Sequence, residues 1–177
     1  DRIAIMKDGE VVQVGTPGEI LIEPANDDVA RFVENVGRGR IVTAAAIMRK
    51  NPVIVRLKKE GPEAIIRKMR EKNLFALPVV GADGKFLGEI SLKDVVNLRK
   101  QGIKEIDSVI VSEVPSVLET TTVEDMLTLL PKIKQAIPVV SEDNVLLGVV
   151  SPSSIIIEMT GKDQNEIDKI IQNAIDL

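Results

Sequence analysis

Residues 88–96 read GEISLKDVV, and sixty positions later residues 148–156 read GVVSPSSII. Each stretch sets a Gly, two further positions and then a Ser. Ser91 is followed three residues on by Asp94, whereas Ser151 is followed by Ser154. A Ser at a strand end, beside the free N–H groups of a helix start, offers neutral and dipolar donors to an anion. An Asp one helical turn further can accept two hydroxyl donors at once. The same residues also suit a plain helix start, since Ser is a common N-cap and Asp in a first turn offsets the helix dipole. Ser154 has one hydroxyl and cannot hold a diol as a carboxylate does, so a capping or surface role is its plainer reading. Pro152 stiffens that second helix start.

Other chemistries are excluded by composition. With no Cys and no His there are no disulfides, no Cys/His metal sites, and no Ser-His or Cys-His nucleophile pairs. Three Phe are the only aromatic residues, too few for the stacking platforms that hold single-stranded nucleic acid. A phosphate-cradling loop needs G-x-x-x-x-G-K-[ST]. Gly84-Lys85 is followed by Phe86 and Gly161-Lys162 by Asp163, so neither is one. The chain itself is expected not to hydrolyse ATP, and no catalytic residue or metal ligand is assigned.

The elements that must position Ser91 and Asp94 belong to an internal repeat. ALPVVGADGKFLGEIS at 76–91 aligns without gaps on AIPVVSEDNVLLGVVS at 136–151. Upstream, a strand-like VIV (53–55) follows Pro52 and SVL (116–118) follows Pro115. A helix then opens at Pro62 with Ile65, Ile66 and Met69 on one face. Its counterpart is capped by Thr122, with Met126, Leu127 and Leu130 as its stripe. Asp83-Gly84 and Asp143-Asn144 are hairpin-turn dipeptides that tolerate positive φ. Each unit reads strand, helix, strand, turn, strand, helix. About 55–60 residues is marginal for independent stability, so two copies are expected to share one core about a pseudo-twofold axis.

Outside the repeats, residues 3–14 read as a hairpin turning at Asp8-Gly9, and Thr16-Pro17-Gly18-Glu19 opens a short helix as a capping box. Asp27 or Asp28 is placed to cap a helix through Ala30 to Val33. GRGR at 37–40 reads as a hinge. Asp163 with Glu166 forms a second capping-box pattern before a helical stripe of Ile167, Ile170, Ile171, Ala174 and Ile175. The run Val145 to Ile157 carries no charge over 13 residues but holds three serines and a proline, short of the roughly 18 apolar residues of a spanning helix. No basic-then-apolar leader opens the chain, and its first residues read as the middle of a longer protein. The net charge of −4 conceals an asymmetry. Residues 38–105 carry 16 basic and 7 acidic side chains, whereas residues 106–177 carry 4 and 12. A strongly basic segment in an acidic protein points to an anionic partner, to attraction between the halves, or simply to solvated lysines on helix faces.

The repeat resembles the CBS domain (named for cystathionine β-synthase), whose tandem pairs form regulatory modules. The resemblance rests on Ala76-Leu77-Pro78-Val79-Val80 with Ala136-Ile137-Pro138-Val139-Val140, and on Gly88, Ser91 and Asp94 with Gly148 and Ser151, over about residues 41–161. The first 36 residues, from Asp1-Arg2-Ile3 through Met6-Lys7-Asp8-Gly9 to Gln13-Val14-Gly15-Thr16-Pro17, look like the last part of an ABC transporter ATPase domain. The two together resemble the ATP-binding subunit of osmoprotectant importers of the glycine betaine, proline, carnitine or choline type. No Walker loop, signature motif or switch histidine of that family is found in the chain.

The resemblance implies an α+β fold of tandem β-α-β-β-α repeats, preceded by a hairpin-plus-helix remnant. Its parts are residues 1–37 (ATPase remnant), 38–105 and 106–161 (the two repeats) and 162–177 (a C-terminal amphipathic helix). It also implies an adenosine ligand, with Ser91 toward phosphate, Asp94 on the ribose hydroxyls, and Val53, Ile54, Leu77 and Pro78 on the adenine side. Ser151 and Pro138 are the corresponding positions of the second copy. No cofactor is required; the implied regulatory ligand is AMP, ATP or, across a twofold axis between two copies, cyclic di-AMP. A homodimer, a permease subunit as partner and a place on the cytoplasmic face of the membrane follow from the same likeness. Two other readings remain open at this point: an ionic-strength sensor whose basic first repeat meets anionic lipid, and a purely structural dimerisation module. Nucleic acid ranks last, because no reading helix is evident.

Overall fold

A computed structural model describes residues 2–34, 41–133 and 135–160. The elements in chain order are β1 (Ile3–Lys7), β2 (Glu10–Gly15), α1 (Pro17–Ile22), α2 (Asp27–Glu34), α3 (Ala44–Ile47), β3 (Arg49–Lys50) and β4 (Val55–Arg56). They continue with α4 (Pro62–Glu71), β5 (Ala76–Val80), β6 (Phe86–Ser91), α5 (Leu92–Lys100), β7 (Val117–Leu118), α6 (Val123–Leu127), β8 (Ile137–Val140), β9 (Leu146–Val150) and α7 (Pro152–Thr160). The strand–helix–strand–strand–helix order occurs twice, as the repeat requires. GRGR and the stripe from Ile167 to Ile175 lie outside the described residues.

The described residues divide into two compact units, one drawing on residues 2–34, 41–47, 120–128 and 153–160, the other on 48–119, 129–133 and 135–152. In the first unit, Asp8 and Gly9 take φ of 53° and 85° and reverse the chain between β1 and β2, which pair antiparallel. Thr16 Oγ1 accepts from Glu19 N while Glu19 Oε2 accepts from Thr16 N, completing the capping box. α2 is capped one residue earlier than the aspartates suggest. Asn26 Oδ1 accepts from Asp28 N and Val29 N at 3.1 and 3.0 Å, leaving Asp27 and Asp28 inside the helix, where they face its positive end. Ile20, Val29 and Val33 form a small core with Ile5, Val12 and Ile41 against it. Elsewhere in this unit Ala44 N donates to Thr121 O and Val123 N to Val42 O, tying the lead into α3 to the lead into α6.

The second unit holds two sheets, ordered β4-β5-β6 and β3-β9-β8-β7. Their registers superimpose on the sixty-residue repeat. Leu77 opposes Ile90 as Ile137 opposes Val150, Val79 opposes Gly88 as Val139 opposes Gly148, and both ladders shift before the final pair. The two hairpins join through Phe86 N to Asn144 O (2.8 Å) and Leu146 N to Gly84 O (3.1 Å). These bonds are images of one another, so a local twofold passes between Lys85 and Val145, which form an antiparallel bridge. Of each turn dipeptide only the second residue takes positive φ, Gly84 at 80° and Asn144 at 62°. Ile65, Ile66 and Met69 of α4 are buried with Val55, Leu77, Val79, Ile90, Val95 and Leu98 in the principal core.

Two local expectations need correction. The lead strands are shorter and later than VIV and SVL, covering Val55–Arg56 and Val117–Leu118. They pair with equivalent residues of β5 and β8, so Val117 matches Val55, and Pro115 matches Val53 rather than Pro52. α6 ends at Leu127, where Thr128 Oγ1 bonds back to Asp125 O, and Leu130 falls in a separate 3₁₀ turn with Pro131. Pro131 has no N–H with which to continue the helix. The buried residues of α6 are therefore Val123 and Met126.

Candidate functional site

β6 ends at Ser91 and α5 begins at Leu92, so Ser91 occupies the N-cap with extended dihedrals of −90° and 150°. Its hydroxyl accepts from Asp94 N at 3.2 Å and donates to Asp94 Oδ2 at 2.5 Å. Thr122 and Asp125 make the same reciprocal pair at the start of α6, at 3.2 and 2.8 Å. Spacing alone therefore specifies a cap. The surroundings of Ser91 and Asp94 are what set them apart, for both are half-buried beside a cavity of about 260 Å³.

That cavity is walled by the other repeat. The segment from Val111 to Pro115, which leads into β7, crosses over β6, and Glu89 and Val111 exchange two backbone hydrogen bonds at 3.0 and 2.9 Å. The mirror exchange places Arg49 and Lys50 of β3 on Val149 and Gly148 of β9. Each lead-in thus pairs with the closing strand of the opposite copy. The crossing explains the Gly of each closing motif. A Cβ on Gly88, whose φ is 138°, would stand 2.2 Å from Val111 O, and one on Gly148 would stand 2.9 Å from Arg49 O.

Ser91 and Asp94 open into this one cavity with Glu89, Glu113, Pro115 and Lys132. Val53, Leu77 and Pro78 line a separate recess of about 30 Å³ that shares only Ala76, Glu89 and Ala136 with the first. Leu77 is spent in the core, at 1% exposure. Ile54 lines a third hollow with Asn51 and Arg56. Pro138 is a buried residue of β8 opposite Val149, and half-buried Ser151 stands between β9 and α7, with Ser154 inside that helix. Glu113, Pro115 and Lys132 were not among the expected site residues. Nothing short-range announces them, because each lead-in was assigned to its own copy. Among the described residues no cluster of carboxylates could hold a metal ion, and no helix is long and apolar enough to cross a membrane.

The sequence profile of the CBS domain matches residues 44–100 and again 103–161. The glycine betaine/carnitine transport ATP-binding protein GbuA of Listeria monocytogenes is 35% identical over 167 residues, 93% of this chain and 41% of that protein. The chain thus spans about two fifths of the length of this curated relative. Among solved structures, CBSX2 of Arabidopsis thaliana in complex with AMP superimposes with a TM-score of 0.56 at 21% identity, covering 64% of this chain and 93% of that one. The CBS domain pair of protein MJ0100, in complex with 5′-methylthioadenosine and S-adenosyl-L-methionine, gives 0.57 at 22% identity, covering 70% and 99%. At such identities the likeness is one of fold. Because both copies match one profile and share the fold of solved pairs, the chain belongs to the CBS domain family, as a tandem pair similar to part of the osmoprotectant-transport ATP-binding subunits.

Proposed function

We propose that this CBS pair is the regulatory module of an osmoprotectant importer's ATP-binding subunit, and that an adenine-containing ligand in the Ser91/Asp94 cavity biases transport. The observation that carries the reading is that Ser91 and Asp94 open into one cavity whose far wall, residues 111–115, comes from the other repeat. A ligand there bridges the two copies and shifts whatever equilibrium separates them, by its differential affinity for the two states. Asp94 accepts the ribose hydroxyls, exchanging its bond from Ser91 for bonds from the ligand. The importer's permease is the partner, a homodimer through the CBS pairs is the working assembly, and the module lies at the cytoplasmic face of the membrane. The chain hydrolyses no ATP itself; the reading leaves that to the ATPase domain of the longer subunit.

Titration calorimetry of the 177-residue chain with adenosine, AMP, ATP and cyclic di-AMP tests this. Saturable heat with at least one ligand is expected. A hydrogen bond to a charged group contributes about 1.5–3 kcal/mol, so Asp94→Ala should weaken binding by at least about tenfold. No heat with any of the four would sink the proposal, as would binding indifferent to Asp94.

A further inference from the structure

The segment that brings the chain into the first repeat is fastened to the second. Ala44 N donates to Thr121 O at 2.8 Å and Val123 N donates to Val42 O at 2.9 Å, with Thr43 and Thr122 paired between them. The two bonds flank the N-cap of α6, where Thr122 accepts from Asp125 N and donates to Asp125 Oδ2. Val42, Ala44, Val123 and Met126 are all buried. Fraying of the α6 start moves Thr121 and Val123 and breaks both bonds.

The internal repeat shows that the fold does not demand this latch. Arg49 pairs with Val149 as Val111 pairs with Glu89, so residues 42–44 correspond to 104–106, and the N-cap Thr122 corresponds to the N-cap Gly61. In the first repeat the counterpart of Val123 is Pro62, which has no N–H to give Lys104 O. Ile106 N, in the place of Ala44, has no acceptor among the described residues. Residues 58–61 and 104–107 instead border a hollow of about 560 Å³. α4 still begins at Pro62 and buries its apolar face. One repeat is latched and the other is open.

We infer that the latch is a coupling device: opening of the first turn of α6 and release of residues 41–47 are one event. The second repeat, and not the first that follows in sequence, then passes its state toward the N-terminal elements. The coupling stands on backbone geometry; its use in transport rests on the regulatory reading above.

Amide exchange of the unmodified 177-residue chain and three single variants, without ligand, tests this. In the unmodified chain Ala44 should exchange at least about tenfold more slowly than Ile106. Thr122→Ala removes the cap but no latch atom, and should speed Met126 and Ala44 together, at least about threefold, while β5 and β6 hold. Val123→Pro deletes one latch donor where α4 already carries Pro, and the ψ of 158° at Thr122 suits a following proline. Ala44 should then exchange at least about fivefold faster and no longer respond to an added Thr122→Ala. Val123→Ala trims the side chain but keeps the N–H, and should leave Ala44 coupled to Met126. Ala44 unmoved by Thr122→Ala, or still coupled to Met126 in Val123→Pro, overturns the inference. If Val123→Pro fails to fold, the response of Ala44 to Thr122→Ala decides alone. Coupling in a chain that binds no adenine ligand leaves the latch standing and sinks the ligand reading; binding without coupling does the reverse.

Discussion

Substituting Gly88 by Ala should break the crossing that builds the cavity. The glycine sits in β6 at φ 138°, and a Cβ there would stand 2.2 Å from Val111 O, 2.8 Å from Val111 C and 3.0 Å from Ser112 Cα. All three are backbone atoms, so no rotamer change relieves the clash and the crossing segment must lift away. Forcing a non-glycine residue into such backbone costs about 1–3 kcal/mol. Displacing Val111 forfeits its two hydrogen bonds to Glu89, each contributing about 0.5–1.5 kcal/mol. Together these predict about 2–6 kcal/mol of destabilisation. Gly84→Ala is the control, since φ is 80° but the nearest atom is Val145 Cγ1 at 3.7 Å, so only the left-handed backbone cost of about 1–2 kcal/mol applies. Gly148→Ala should fall between them, because one of its two contacts at 2.9 Å is the sulfur of Met48, which can swing aside. Urea denaturation midpoints at constant slope rank the three, and amide exchange at Val111 reports the crossing directly. If Gly88→Ala is no more destabilising than Gly84→Ala, or Val111 stays protected, the account of the motif is wrong.

Two further outcomes follow from the geometry. Gln135 Oε1 accepts from both Phe75 N and Ala76 N, at 3.0 and 2.9 Å, joining the two repeats beside the cavity. Gln135→Ala leaves both donors without that acceptor and should cost about 1–3 kcal/mol, whereas a shift under about 0.5 kcal/mol would contradict the pairing. The first 34 residues should loosen in acid. The backbone N–H of Thr16 holds the Glu19 carboxylate below its usual pKa, and Lys7 does the same for Asp28. A pKa depressed by folding gives stability that is complete above the unfolded value of about 4 and drains away as pH falls through the lower folded value. Acid titration followed by amide exchange in β1, β2 and α1 should show that loss, and Glu19→Gln with Asp28→Asn should flatten it; an unchanged profile refutes the assignment.

Much of this protein is written in short stretches of its sequence. The turn at Asp8-Gly9 and the caps at Thr16, Thr122 and Ser91 each depend on partners within about four residues, and the buried face of α4 shows in the helical spacing of Ile65, Ile66 and Met69. A local pattern is enough to identify such features, because the chain connecting the groups already holds them close. The duplication and the two hairpin turns were equally visible, and the matching registers of β5 with β6 and β8 with β9 follow the same repeat. Tertiary structure alone decided that each lead-in segment crosses to the other copy, and therefore that Asp94 faces Glu113 and Pro115 rather than Val53 and Ile54. That crossing is made by backbone hydrogen bonds, which any residue except proline can form from both groups. The side chains that accompany it carry almost no signal. Its trace in the sequence is the pair of glycines, Gly88 and Gly148, where the absence of a side chain leaves room for the other strand.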